Sequence, residues 1–322
     1  MRKSMQKTFM DYEKCILCPR ECGVDRRKTV GVCRSTSTLR LARAALHFWE
    51  EPCISGKSGS GAVFFCGCNM HCVFCQNEEI AKGLSGMEID EHRLVEIFLE
   101  LQEQGANNIN LVTAGHYLPQ VIWAVEHAKN QGLSIPIVYN TGSYEKEESI
   151  KKLEGIVDIY LPDFKYMNPD VSEKYSHARD YADIARKAIA EMVRQQPEAV
   201  FYKKETQGEE KEGETELLMK NGVIVRHLLL PGQLGDSKKI LKELYSTYKN
   251  QIYYSLMSQF TPLANVEKYQ ELQRRVTKEA YEALVEYALR LGIENGFTQE
   301  REVAKDSFIP HFDCEGVEKH KK

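Results

Sequence analysis

Two rhythms of apolar and polar positions alternate along this chain. Short apolar runs at 61–65, 110–113, 135–140, 157–161, 223–230 and 252–257 read as buried strands, and 293–298 adds a short final one. Between them apolar residues recur at helical spacing. Leu94, Ile97, Phe98 and Leu101 do so behind Asp90, a suitable N-cap. Helices follow over 118–129 and 180–194. Further on, Leu241, Leu244, Tyr245 and Tyr248 mark one helix, and Leu284, Tyr287, Ala288 and Leu291 another.

Six or seven βα units in succession predict a parallel sheet with right-handed crossovers. Eight units close a barrel, and the count falls short. The expected fold class is therefore α/β, a partial (β/α) barrel of about six units or an open parallel sheet. In either case chemistry gathers at the C-terminal ends of the strands. The segment 205–216 breaks the rhythm. It is acidic and poor in apolar residues, so it reads as a solvated loop insertion. The expected divisions are a cysteine-rich segment 1–58, a barrel 59–300 and a tail 301–322.

Composition narrows the classes. Of 322 residues, 42% are hydrophobic and 28% charged, which excludes a mostly disordered chain. The formal charge of -4 gives no case for nucleic acid or an anionic membrane as partner. No apolar run approaches the roughly 18 residues of a membrane span. Residues 1–10 are basic without an apolar signal core, so a cytosolic protein is expected. Ten cysteines in a reducing compartment argue for metal rather than disulfides.

Nine of those cysteines precede Gln76, and Cys314 stands alone. Cys15, Cys18, Cys22 and Cys33 form a quartet with spacing C-x2-C-x3-C-x10-C. Four thiolates suit tetrahedral zinc or an auxiliary iron–sulfur cluster. Cys68, Cys72 and Cys75 follow the strand at 61–65 with spacing C-x3-C-x2-C. Three thiolates on one loop can hold a [4Fe–4S] cluster and leave one iron open. The plainer readings of this triplet are a zinc site completed by His71 or Cys66, or spare thiols.

The triplet, with Phe74 as its aromatic, resembles the radical S-adenosylmethionine (SAM) superfamily. Trp49-Glu50-Glu51-Pro52, Cys72-Val-Phe-Cys75-Gln-Asn77, Tyr139-Asn-Thr141, Arg226-His-Leu-Leu-Leu-Pro-Gly232 and Ser255-Leu-Met-Ser-Gln259 resemble the group related to pyruvate formate-lyase activating enzyme. That group carries its own Cys-x2-Cys-Pro-Arg-x-Cys head. The resemblance runs from about Cys15 to Asp313.

The resemblance implies a cluster on Cys68, Cys72 and Cys75 whose open iron is chelated by SAM. One electron cleaves the sulfonium bond, and the 5′-deoxyadenosyl radical abstracts hydrogen from a substrate. Phe74 would lie near the adenine. Thr113-Ala114-Gly115-His116 stands where the family has Gly-Gly-Glu for the SAM amino group, so Thr113 and Gly115 are candidates without the glutamate. Asn140-Thr141 stands where activating enzymes have Asp-Thr at the ribose and a monovalent cation. Asp163 and Lys165 match the family's Asp-x-Lys, with Lys165 on the SAM carboxylate and Asp163 orienting it. Arg226, inside an apolar run, needs an anion, and the SAM carboxylate is a suitable one. His227 would face the opposite side as a packed histidine. His47, Glu50 and Glu51 reach over the site or form a solvated turn.

The expected activity is reductive cleavage of SAM, with a glycyl-radical enzyme, a small molecule or another protein as target. A flavodoxin- or ferredoxin-type donor would supply electrons. The reading outside this class is a zinc or redox module that never cleaves SAM. No residue declares itself as a catalytic acid or base.

Overall fold

The computed structural model describes residues 11–205, 215–298 and 310–319. The basic segment 1–10, the centre of the acidic insertion and the start of the tail lie outside the described residues.

The strands are β1 (Leu39–His47), β2 (Ser60–Phe65), β3 (Met87–Ile89), β4 (Ile109–Val112), β5 (Ile137–Thr141), β6 (Ile159–Pro162), β7 (Val200–Glu205), β8 (Thr215–Leu228), β9 (Tyr253–Met257) and β10 (Gly296–Thr298). Their order is β10-β9-β8-β6-β5-β4-β2-β1-β3, with β7 on β8. From β2 through β4, β5, β6, β8 and β9 to β10 every pairing is parallel. The sheet does not close, because its two ends are β10 and β3. The partial barrel expected from the βα rhythm is what forms.

Five long helices cover the outer face: α1 (Glu91–Glu103), α2 (Leu118–Asn130), α3 (Tyr181–Gln195), α4 (Leu234–Tyr248) and α5 (Lys278–Leu291). The cap inferred at Asp90 is real. Its side chain accepts from the Arg93 N–H at 2.7 Å, satisfying one of the first-turn donors. Alternation along each strand divides the core. Val63, Phe65, Ile109 and Leu111 pack outward against Leu94, Phe98, Val121 and Val125. Val138, Ile159, Leu161 and Ile224 point inward onto Cys53 and Ile54.

One expectation needs correction. The strand at 61–65 is not the first of the sheet. β1 precedes it and runs antiparallel, from Leu41 opposite Phe65 to His47 opposite Ser60. Two arginines and three alanines conceal β1 in the sequence. Arg43 is spoken for by Asp313 and Glu315 of the tail, a partner that no local pattern reveals. The acidic insertion is flanked by antiparallel strands, with Glu205 opposite Thr215 and Tyr202 opposite Leu218, and its residues 206–214 lie outside the described residues.

Because β1 runs against β2, residues 48–59 cross the N-terminal end of the barrel. A one-turn helix at Pro52–Ser55 plugs that end. Asn107 and Asn108 donate to the carbonyls of Ser55 and Ile54 and tie it in place. The opposite end, where the parallel strands finish, is left for the cysteine loop.

Candidate functional site

Cys68, Cys72 and Cys75 lie on one loop just past β2, all partly accessible. Their sulfurs receive polar hydrogens. The Met70 N–H donates to Cys68 Sγ at 3.4 Å, and the Ser176 hydroxyl donates to Cys72 Sγ at 3.0 Å. Burial, with Cys72 beside it, pushes the Cys68 thiol up to about 11 and raises Cys75 further. Lys165 opposes this at both cysteines. Phe74 is buried edge-on against Tyr166, Tyr175 and Phe260.

The two side chains that could complete a zinc site face elsewhere. Cys66 Sγ donates to the Ser85 carbonyl at 3.3 Å. His71 Nε2 lies 2.7 Å from the Val32 carbonyl. Among the described residues no group of three or more His, Cys, Asp or Glu is disposed to hold a single metal ion. Three thiolates with N–H and O–H donors around them would suit a cluster with one open iron.

A ladder of charges rises through the barrel towards this loop. Arg226 Nε donates to Asp163 at 2.8 Å, Nη1 to Glu50 at 3.1 Å and Nη2 to Asn140 at 2.6 Å. Asn110 and Asn140 also donate to Glu50 Oε1, at 3.0 and 3.3 Å. Lys165 Nζ donates to Asp163 at 2.5 Å. Burial works against the Lys165 ammonium, but Asp163 outweighs it and holds the group charged. Asp163 is kept below the usual carboxylate range: burial opposes its charge, and Arg226 and Lys165 overcome that penalty.

Arg226, for which the resemblance implies the SAM carboxylate, here meets Asp163, Glu50 and Asn140, one through each guanidinium nitrogen. Glu50 reaches it because the loop after β1 carries that carboxylate up into the barrel. Lys165 is different. It has one carboxylate partner, keeps a fifth of its side-chain surface exposed, and its stem passes Met70 across Gly142. Asp163 and Lys165 thus pair with each other beside the cysteine loop.

Glu51 is buried next to Glu50. Burial pushes its carboxyl up against the pull of Arg226, and its Oε2 has no hydrogen-bond partner among the described residues. His47 packs edge-on against Phe64 rather than joining the ladder.

The β4 and β5 ends divide by strand parity. Asn140 faces inward to Arg226. Thr141 faces outward, donating at 2.9 Å to Glu145, which Tyr139 also reaches at 3.3 Å. Glu145 presses on Gly115 so closely that a Cβ there would lie 2.4 Å from its carboxylate. Thr113 takes a left-handed turn with φ of 59°. Thr113 and Gly115 thus shape the junction, and Gly115 and Thr141 share Glu145, a residue that no sequence motif marks.

Two histidines near the site are packed and neutral. His116 Nε2 lies 2.7 Å from the Cys66 carbonyl. His227 lies between the Phe164 carbonyl and Ser237 Oγ, as its strand parity requires. Burial lowers both, His116 to about 3. The unfolded chain therefore binds more protons than the folded one below about pH 6.5. Stability is expected to fall as pH drops from 6.5 towards 4.5, by about 1.4 kcal/mol per pH unit for each histidine held neutral. Urea unfolding at several pH values measures the slope, and His227→Gln should make it shallower. An unchanged slope would assign the pH dependence to other groups.

The quartet lies at the same end of the barrel. Cys15 and Cys33 are buried, Cys18 and Cys22 half-buried. The sulfurs of Cys22 and Cys33 flank Gly31, 3.3 and 3.5 Å from where its Cβ would stand. Arg20 fastens the head to the barrel by donating to the carbonyls of Asn69 at 2.8 Å and Ser176 at 2.9 Å. No helix among the described residues is long and apolar enough to cross a membrane.

Residues 62–200 match the model of the Radical SAM superfamily. An uncharacterised protein of Methanocaldococcus jannaschii is 26% identical over 290 residues, covering 88% of this chain and 76% of that protein. Solved structures also align. A domain of a pyruvate-formate lyase-activating enzyme from Bacteroides vulgatus aligns with TM-score 0.38 and 13% identity over 57% of this chain and 93% of its own. The FeFe-hydrogenase maturase HydG from Carboxydothermus hydrogenoformans gives 0.48 and 14%, over 77% and 55%. Streptococcus suis SuiB, solved with its precursor peptide SuiA, gives 0.47 and 9%, over 72% and 46%.

Proposed function

Since residues 62–200 match the model of the Radical SAM superfamily, we propose that the chain is a member that reductively cleaves SAM at the Cys68 loop and acts on a protein partner, a glycyl-radical enzyme being the favoured class. The observation that carries the cleavage is a loop with three thiolates and no fourth ligand turned towards it, since Cys66 and His71 bond elsewhere. When bound, the cluster supplies the electron that breaks the sulfonium bond.

The chain's own residues hold and orient. Cys68, Cys72 and Cys75 would ligate the cluster. Lys165 presents an ammonium next to the loop, fixed by Asp163, and would pair with the carboxylate of SAM. Arg226 holds Asp163 in place from below. The aromatic packing of Phe74, Tyr166, Tyr175 and Phe260 excludes water beside the loop. A flavodoxin- or ferredoxin-type protein is the proposed electron donor.

Dithionite-reduced, reconstituted protein is expected to form 5′-deoxyadenosine and methionine from SAM, slowly and without substrate. Lys165→Ala should weaken SAM binding by about 1.5–3 kcal/mol, the range of a hydrogen bond to a charged group. Anaerobic calorimetry reads the affinity, and chromatography reads the products. A fully loaded, reduced protein that made no 5′-deoxyadenosine would leave the zinc or redox module as the better account.

A further inference from the structure

The head contains a buried charge that the cleavage site does not explain. Arg26 has no solvent exposure. Its guanidinium donates to the carbonyls of Ser35 at 3.0 Å, Thr36 at 2.7 Å and His116 at 2.6 Å. The rings of Tyr12 and Tyr117 cover it. Among the described residues no carboxylate reaches it. The remaining neighbour is sulfur, with Cys15 Sγ 3.9 Å from Nη1. A buried cation without an anion is costly. Metal-bound cysteines are thiolates, so a metal on the quartet would supply the missing negative charge.

The quartet also touches the Cys68 loop through the backbone. The Cys68 N–H donates to the Cys33 carbonyl at 3.1 Å. One ligand of each cysteine set is thus joined to the other by a single hydrogen bond. Gly67 makes the approach close. Its φ is 94°, and a Cβ there would lie 2.6 Å from the Cys33 carbonyl and 2.1 Å from Ser35 Oγ. The quartet is graded in burial as well. Cys15 and Cys33 are buried, while Cys18 and Cys22 are half-buried. Ile16 and Val32, the sequence neighbours of Cys15 and Cys33, are exposed, as is Val30.

We propose that Cys15, Cys18, Cys22 and Cys33 hold a second iron–sulfur cluster that relays electrons from a one-electron donor at the head surface to the Cys68 loop across the Cys33–Cys68 hydrogen bond. This rests on reading that loop as the SAM-cleaving site. The redox step is simple in balance. A low-potential donor loses one electron, the quartet cluster accepts it, and the same electron leaves for the Cys68 site with no bond made or broken. Four thiolates saturate the quartet cluster, so it offers SAM no open iron.

The test reconstitutes the whole chain anaerobically with iron and sulfide and compares three proteins. These are the wild type, Cys18→Ser with Cys22→Ser, and Cys68→Ala with Cys72→Ala and Cys75→Ala. The wild type is expected to hold about eight irons per chain and each variant about four, following the four irons of each cluster. The dithionite-reduced head variant should keep a paramagnetic signal that changes with SAM. The loop variant should keep one that does not. The reduced wild type should show magnetic broadening from two adjacent clusters, absent in both variants. With a protein-sized reductant, the head variant should reduce its remaining cluster at least tenfold more slowly than the wild type.

One zinc with about four irons in the wild type would overturn the proposal. So would a wild-type spectrum equal to that of the head variant, and that reading needs no folded variant. A SAM-responsive signal surviving in the loop variant would instead sink the assignment of the Cys68 loop. The two failures are therefore distinguishable.

Discussion

Replacing Cys68, Cys72 and Cys75 together by alanine is expected to abolish SAM cleavage and the SAM-responsive spectroscopic signal while leaving the fold intact. The three side chains sit on a loop beyond β2, half-buried at the margin of the core and outside every helix and strand, so circular dichroism should change little. The loss should nevertheless be complete, because no other cysteine is placed to substitute. Cys66 is turned to the Ser85 carbonyl, and the quartet is occupied with the head. Single replacements should be almost as severe, since a cluster held by two thiolates gains water-accessible irons and is lost to oxygen. Electron paramagnetic resonance of the reduced protein, with and without SAM, is the measurement. A triple variant that still responded to SAM would show that the chemistry lies elsewhere.

Arg226→Met should be the most damaging single change for stability. It removes the cation that balances Glu50 and Asp163 inside the barrel, where each is about nine-tenths buried. Breaking a buried pair by deleting one partner costs about 3–5 kcal/mol, because the remaining charge is left uncompensated. The loss should appear as a lower urea midpoint with an unchanged slope. Adding Glu50→Gln to that variant should recover part of it by removing one stranded carboxylate. A stability close to wild type would mean that water enters and solvates the ladder. If instead the variant folded normally and lost only SAM affinity, the arginine would belong with the ligand after all.

Much of the architecture was legible because the buried strands advertise themselves. β2, β5, β6 and the second half of β8 are mostly apolar and largely buried on both faces, as strands covered by helices must be. The strand-end residues Asp163 and Lys165 were equally legible, since charged groups directly after such strands must meet at the barrel mouth. β1 was not, because its stability comes from partners far away in the chain. Its Arg43 meets Asp313 and its Ala44 N–H donates to the Glu315 carbonyl. Glu145 was invisible for the same reason. It stands alone after β5, and only folding brings Gly115 and Thr141 against it.

The amino-acid sequence by itself determined the chemistry available: three thiolates on one loop, four in the head, and a run of parallel strands to present them. These follow from residue type and spacing, which local chain geometry carries directly. What only the tertiary structure decided is which charges face which. Arg226 is matched by Glu50 across 176 positions, and Arg26 is buried without a carboxylate. Cys33 and Cys68, 35 residues apart, share one backbone hydrogen bond. Electrostatic pairing depends on distance and burial rather than on sequence separation, so a chain read linearly shows the charges but not their partners.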